Sequence, residues 1–216
     1  MLWSAIALYA SGTLALAFAE MRDSTWRYAL KPLLALGFVA SAVVAVMLAQ
    51  GVGTPGLPFA YVAGLVSGLM ACALGDVLLL KPGSGRAFVA GMAAFGLGHL
   101  LYAVAFLALG VGWRPGLFLL VGALVVVGAR QIPADIAPSL RLPTRAYMGV
   151  IALMVGTAYG TGFATWLVLP ALAFAVSDMV VARDRFRGRR PWHPWAITPL
   201  YFGAQLAFAL SPLWFA

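Results

Sequence analysis

Apolar residues run almost unbroken along this chain, in long blocks parted by short polar stretches. A membrane-spanning helix needs about 20 consecutive, mainly apolar residues. Eight blocks approach that length: 2–19, 30–49, 59–80, 87–109, 115–129, 144–161, 163–182 and 196–213. The fifth is short, and only Gly160-Thr161-Gly162 parts the sixth from the seventh. The runs are continuous rather than alternating, which excludes a transmembrane β-barrel. The pattern predicts an all-α polytopic membrane protein, a bundle of eight transmembrane helices. No connection is long enough to fold alone, so residues 1–216 form one helical domain. Ala17-Phe18-Ala19 imitates a signal-peptide cleavage site, but Met1-Leu2-Trp3-Ser4 lacks Lys and Arg. The first block therefore reads as a retained helix.

Composition narrows the class. The 216 residues are 63% hydrophobic and 9% charged, against about 25% charged in soluble domains. A globule of this size cannot bury so much apolar surface, and the mean hydropathy of +0.98 agrees. A soluble enzyme and a disordered chain are both excluded. The net charge of +8 would normally raise nucleic-acid binding. The cations, however, sit in the connections. Arg22, Arg27 and Lys31 fall in the first, Lys81 and Arg86 in the third, and Arg130, Arg141 and Arg145 in the fifth. Arg183, Arg185, Arg187, Arg189 and Arg190 fall in the seventh, leaving only Arg114 of the 14 in an even connection. The positive-inside rule then makes the odd connections cytoplasmic and puts both termini on the non-cytoplasmic side. No nucleic-acid partner is expected. Trp192 and Trp195 suit an aromatic belt at the inner face. The single cysteine, Cys72, cannot form an internal disulfide.

With so few charges, each polar residue inside a block needs a reason. Glu20, Asp23, Asp135 and Asp184 lie in or beside connections and read as solvated. Asp76 and Asp178 sit inside apolar blocks, in similar local sequences (Ala73-Leu-Gly-Asp-Val77 and Ala175-Val-Ser-Asp-Met179). An intramembrane Asp costs about 2.5–3.5 kcal/mol on insertion scales and needs a partner or an aqueous cavity. Each precedes a cation by five residues, Lys81 and Arg183, or about 7.5 Å of helix. That puts both carboxylates at one depth in the cytoplasmic half. The blander reading is a buried ion pair, and the sharper one is a shared site.

Lys31 opens the second helix, Tyr147 the sixth, and Tyr201 and Gln205 share a face of the eighth, all in the same half. They read equally as a topology charge, interface anchors and interhelical glue. Phe88, Gly91, Phe95, His99 and Tyr102 fall within an arc of about 80° on the fourth helix. His99 lies about 20 Å up that helix from Arg86. This depth predicts that it lines the apolar end of a cavity rather than touching reacting atoms. Gly64, Gly68, Cys72 and Asp76 form an i, i+4 row whose small members permit close helix approach.

These residues resemble the lysoplasmalogenase family, small multi-spanning alkenyl ether hydrolases of YhhN type. The resemblance runs from the second block to the eighth. It rests on Lys31-Pro32, Gly75-Asp76, Gly91 with His99-Leu-Leu-Tyr102-Ala-Val-Ala-Phe106, and Tyr147 with Met154. Ser177-Asp178 with Ala182 and Phe186, then Tyr201 with Gln205, complete the set. Two positions depart from the family pattern, where Cys72 stands for a frequent Ser and Leu200-Tyr201 for two tyrosines. The resemblance implies hydrolysis of the vinyl ether bond of a lysoplasmalogen, releasing a fatty aldehyde and glycerophosphoethanolamine or glycerophosphocholine. It implies Asp76 and Asp178 as an acid/base pair, without saying which is the acid. Lys31, His99, Tyr102, Tyr147, Ser177, Tyr201 and Gln205 are the expected substrate-binding residues. Neither a cofactor nor a metal is expected. The substrate and membrane lipid are the expected partners, and a bacterial inner membrane the expected location.

Two rival readings remain. A zinc hydrolase needs three or four ligands, and the blocks offer Asp76, Asp178, His99 and Cys72. A proton-coupled transporter of small molecules or lipids also suits intramembrane carboxylates and Gly-rich helices. It fits less well with carboxylates placed toward one face.

Overall fold

The computed structural model describes residues 2–51, 56–80 and 85–215. Its helices are α1 (Leu2–Met21), α2 (Arg27–Gln50), α3 (Phe59–Leu79), α4 (Gly85–Ala108), α5 (Leu117–Gln131), α6 (Pro138–Thr161), α7 (Leu169–Arg187) and α8 (His193–Leu210). A short α9 (Pro212–Phe215) follows, and a single π-helical turn, Ala164–Val168, leads into α7. No strand occurs among the described residues. The chain is a polytopic all-α membrane protein. Among the described residues, six helices are both long and apolar enough to cross a membrane: α1 to α4, α7 with its π-turn, and α8 with α9. The other two are the weak cases, α5 with 15 residues and α6 with Arg141 and Arg145 in its first turns.

Helix starts and stops follow local chemistry. α6 begins six residues before its apolar block, because Pro138 occupies a first-turn position where its missing N–H costs nothing. Gly162, at φ 81°, caps α6 in the left-handed region, a conformation glycine adopts without a Cβ clash. That allows the tight turn between α6 and α7.

Seven helices close a ring in the order α1, α2, α3, α4, α6, α7, α8 and back to α1. α5 packs outside the ring on α6 and α7, while α8 also reaches α2 and α3. The interior is aromatic, with Phe38, Tyr61, Tyr102, Phe106, Phe174, Phe202 and Phe208 almost fully buried. The closest seam joins α3 and α4. A Cβ on Gly64 would stand 2.8 Å from the Leu101 carbonyl oxygen, and one on Gly68 2.6 Å from the Tyr102 ring. On Gly75 it would meet the Phe95 ring at 2.7 Å. Without hydrophobic attraction between helices in lipid, close packing at small residues supplies the association.

The connections sort to two ends. Arg189 bonds Asp23 Oδ1 and the Glu20 carbonyl, and Arg187 bonds the carbonyls of Arg130 and Gln131. The first, fifth and seventh connections therefore meet at one end. At the other, Gly112 N–H and the Arg114 side chain bond the Gly160 carbonyl. Lys81, the cation five residues beyond Asp76, lies outside the described residues.

Gly68→Leu should force the α3–α4 seam apart. Overpacking of this kind costs about 1–3 kcal/mol, so the melting temperature in detergent should fall clearly. Gly203→Leu, where a Cβ meets nothing within 4 Å, should leave it nearly unchanged.

Candidate active site

Inside the ring lies a cavity of about 750 Å³, counting its open mouth. Six helices line it: Lys31 from α2, Asp76 and Leu79 from α3, Phe88, Met92 and Phe95 from α4, Thr144, Tyr147, Met148 and Ile151 from α6, Ser177, Asp178, Val181, Ala182 and Phe186 from α7, and Ile197 and Tyr201 from α8. The wall is apolar except for a small set of polar groups, and both intramembrane carboxylates face it. A polar recess shares Lys31, Leu79, Val181 and Ile197 with it, and adds Glu20, Asp23, Arg27, Asp184 and Arg189. A groove on the outer face between α4 and α6 shares Met92 and Tyr147.

Asp76 is 1% exposed. Its Oδ2 accepts from Tyr201 Oη at 2.5 Å, and its Oδ1 lies 3.5 Å from Lys31 Nζ. Lys31 also stands 3.6 Å from Glu20 Oε1, and Thr198 Oγ1 donates to Glu20 Oε2 at 2.5 Å. Behind Tyr201, Gln205 Nε2 donates to its hydroxyl at 3.2 Å, and Tyr102 Oη donates to Gln205 Oε1 at 2.6 Å. One chain of hydrogen bonds thus runs from α4 through α8 to the α3 carboxylate. The Tyr201 ring is held edge-on by Phe38, Phe95 and Phe174, with centroids 6.4, 5.7 and 5.1 Å away.

Asp178 has a different setting. Its Oδ2 accepts from Tyr147 Oη at 2.9 Å and faces His99 Nε2 at 3.4 Å. His99 Nδ1 lies 2.5 Å from the Phe95 carbonyl oxygen. Rings of Tyr147 and Phe174 stand edge-on to the imidazole, at 5.5 and 4.5 Å between centroids.

Of the expected site residues, Lys31, Asp76, Tyr147, Ser177, Asp178 and Tyr201 line the cavity. His99, Tyr102 and Gln205 do not; they stand behind the wall and act on it through hydrogen bonds and packing. His99 also departs from its expected place at the apolar end. The ring of helices brings its imidazole to Asp178, because depth along one helix does not fix position across a bundle. Ser177 is in the wall, but its hydroxyl donates to the Ile197 carbonyl at 3.1 Å. Arg183 makes no ion pair with Asp178 among the described residues. Glu20 and Asp184 are not simply solvated. Glu20 pairs with Lys31, and Asp184 Oδ1 lies 2.6 Å from His193 Nδ1, whose ring is fully buried. The residues missed at the site are Glu20, Thr198 and Thr144. The spacing 198, 201, 205 puts Thr198 on the face of Tyr201 and Gln205, a signal that was open to reading. Thr144 is 4% exposed, lines the cavity and has no hydrogen-bond partner for its hydroxyl among the described residues.

Fold and site define a class: a helical membrane protein whose internal cavity presents two carboxylates from separate helices. The family is narrower. A model of the YhhN family matches residues 26–212, and the chain belongs to that family. It is 38% identical over 155 residues to the lysoplasmalogenase TMEM86B of Homo sapiens, covering 69% of this chain and 63% of the relative. It is 33% identical over 157 residues to the lysoplasmalogenase TMEM86A of Bos taurus, covering 67% and 62%. To the lysoplasmalogenase of Mycobacterium tuberculosis it is 34% identical over 129 residues, covering 56% and 49%. The matched segments thus span less than two thirds of these relatives. No solved structure matches the chain.

Removing the Lys31 ammonium leaves a carboxylate at 1% exposure without its cation. Breaking a buried pair from one side costs about 3–5 kcal/mol. Lys31→Met should therefore lower thermal stability strongly. Lys31→Met combined with Asp76→Asn should recover much of that loss, a coupling that a double-mutant cycle measures directly.

Proposed function

We propose that this protein is a lysoplasmalogenase: a membrane-embedded hydrolase that cleaves the vinyl ether bond of a lysoplasmalogen. The observation that carries the reading is the pair of carboxylates, Asp76 and Asp178, facing one apolar cavity that opens beside a charged recess. The hydrolase names of its relatives support it. They lend no support to the transport reading.

The substrate is a single-chain amphiphile, and the two spaces have matching polarity. The phosphate-bearing head group occupies the recess near Arg27, Lys31 and Arg189. The alkenyl chain lies along Phe88, Met92, Phe95, Met148 and Phe186. The bond between them then falls at the level of the aspartates. This places catalysis near the end of the bundle where the Arg-rich connections meet, which we assign to the cytoplasmic face of a bacterial inner membrane, with the whole chain acting as one unit.

The chemistry needs no serine nucleophile, because a vinyl ether has no acyl carbon. A carboxylic acid protonates the alkene carbon one bond removed from the ether-bearing carbon. The alkene electrons take that proton, and the ether-bearing carbon becomes an oxocarbenium ion. The second carboxylate stabilises the cation and takes a proton from the water that adds to it, as paired carboxylates do in glycoside hydrolysis. The resulting hemiacetal collapses. Its hydroxyl proton returns to the first carboxylate, the carbon–oxygen bond to glycerol breaks, and the leaving oxygen takes the proton held by the second. One water is consumed, and one aldehyde and one glycerol hydroxyl are formed. An apolar wall limits water to what the polar set holds and strengthens the charge interactions inside it.

Asp76→Asn and Asp178→Asn preserve side-chain shape while removing the ionisable oxygen. In detergent, with no second compartment, the wild type should release aldehyde from a lysoplasmalogen. Each variant should stay folded and lose at least about 10²-fold in kcat, the lower range for one acid or base. Full activity in either folded variant would sink the pair.

A further inference from the structure

The two aspartates are not equivalent, and the difference lies in what faces them. Around Asp76 the facing polar groups are donors, the Tyr201 hydroxyl and the Lys31 ammonium. Asp178 faces one donor, Tyr147, and the Nε2 of a buried imidazole. The state of that nitrogen follows from the other side of the ring. Nδ1 lies 2.5 Å from the Phe95 carbonyl oxygen. A carbonyl oxygen only accepts, so Nδ1 carries the hydrogen. In a neutral ring Nε2 is then a bare lone pair. It is fully buried, without a hydrogen-bond partner among the described residues, and 3.4 Å from Asp178 Oδ2. A lone pair facing a carboxylate oxygen away from water is unfavourable for both groups.

One proton between them removes the conflict. It sits on Asp178, pointing at Nε2, or on Nε2, pointing at Asp178. We infer that His99 and Asp178 hold this proton jointly, so that Asp178 is the acid of the reaction and His99 its positioning residue. His99 does not line the cavity, so it acts only through Asp178. The packed rings of Tyr147 and Phe174 hold the imidazole in place. Asp76, surrounded by donors to its carboxylate, is left as the group that stabilises the cation and receives the proton from water. The proton that Asp178 gives to the alkene carbon returns to it from the hemiacetal hydroxyl, and the pair is restored after each turnover.

The inference rests on the hydrolase reading, and its test separates the two. Protein labelled with ¹⁵N-histidine is examined by NMR, with the His99 signals identified by their loss in His99→Gln. The expected spectrum has a hydrogen on Nδ1 and an Nε2 signal shifted by a shared proton. In Asp178→Asn that Nε2 signal should move to the position of an ordinary neutral imidazole nitrogen. A merely structural histidine would show no such coupling. In parallel, His99→Gln should lower kcat about 10²-fold with KM nearly unchanged. An unshifted Nε2 signal in the wild type, or one that ignores Asp178→Asn, overturns the inference even in an active enzyme. A shared-proton signal in a protein that releases no aldehyde overturns the hydrolase reading instead, and the assignment of Asp178 as its acid falls with it.

Discussion

A carboxylate buried among apolar helices must be given donors or it will not stay there. Asp76 is the sharpest instance, and much of the bundle is arranged around it. Its donors come from α2, next to α3 in the ring, and from α8, remote in sequence but reaching across to α3. Those donors have supports of their own. Lys31 leans on Glu20 of α1, Glu20 on Thr198 of α8, and Tyr201 on Gln205 and Tyr102. Five helices are thereby tied to one another through a set of polar contacts centred on Asp76. In lipid this is a strong constraint on how helices sit, because apolar surfaces alone do little to choose among helix partners.

The small residues of α3 and α4 serve the same end. Gly75 admits the Phe95 ring, and that ring stands edge-on to Tyr201 beside Asp76. Phe95 also lends its carbonyl to His99, which faces Asp178. A backbone contact and an aromatic contact from one residue therefore link the two carboxylates' surroundings. The cavity between them is mostly hydrocarbon, with a few polar groups contributed by α2, α3, α6, α7 and α8 and a charged recess beside it. That division suits an amphiphile whose reactive bond lies at the junction of its head and its chain.

Much of the fold was legible in the sequence. An apolar block marked each helix from α1 to α8, and the cation distribution grouped the first, fifth and seventh connections, which the structure brings to one end. The weak points were local. α6 starts early at Pro138, and α5 is a peripheral helix that makes no ring contact across the cavity. The two aspartates stood out because apolar helices seldom hold an unexplained charge. Their partners were harder to read. Glu20 sits at the last turn of α1, where solvation and pairing look alike in sequence. His99 was misplaced because helical depth says nothing of the lateral packing that brings α4 beside α7 through α6. Tyr102 and Gln205 were picked out for the cavity wall, whereas they stand one layer behind it. A periodicity argument finds the face of a helix but not the distance from that face to a void.

A carboxylic acid fixed in this cavity delivers a proton to carbon from one side only. Hydrolysis of a lysoplasmalogen by the purified protein in D₂O, with the aldehyde reduced at once to its alcohol and the labelled carbon read by NMR, checks this. Every route to the aldehyde adds one solvent hydrogen to the carbon next to the carbonyl, so the configuration is what decides: deuterium should occupy a single configuration there. Deuterium spread equally over both configurations, as when an enol is released and protonated in solution, would contradict the mechanism.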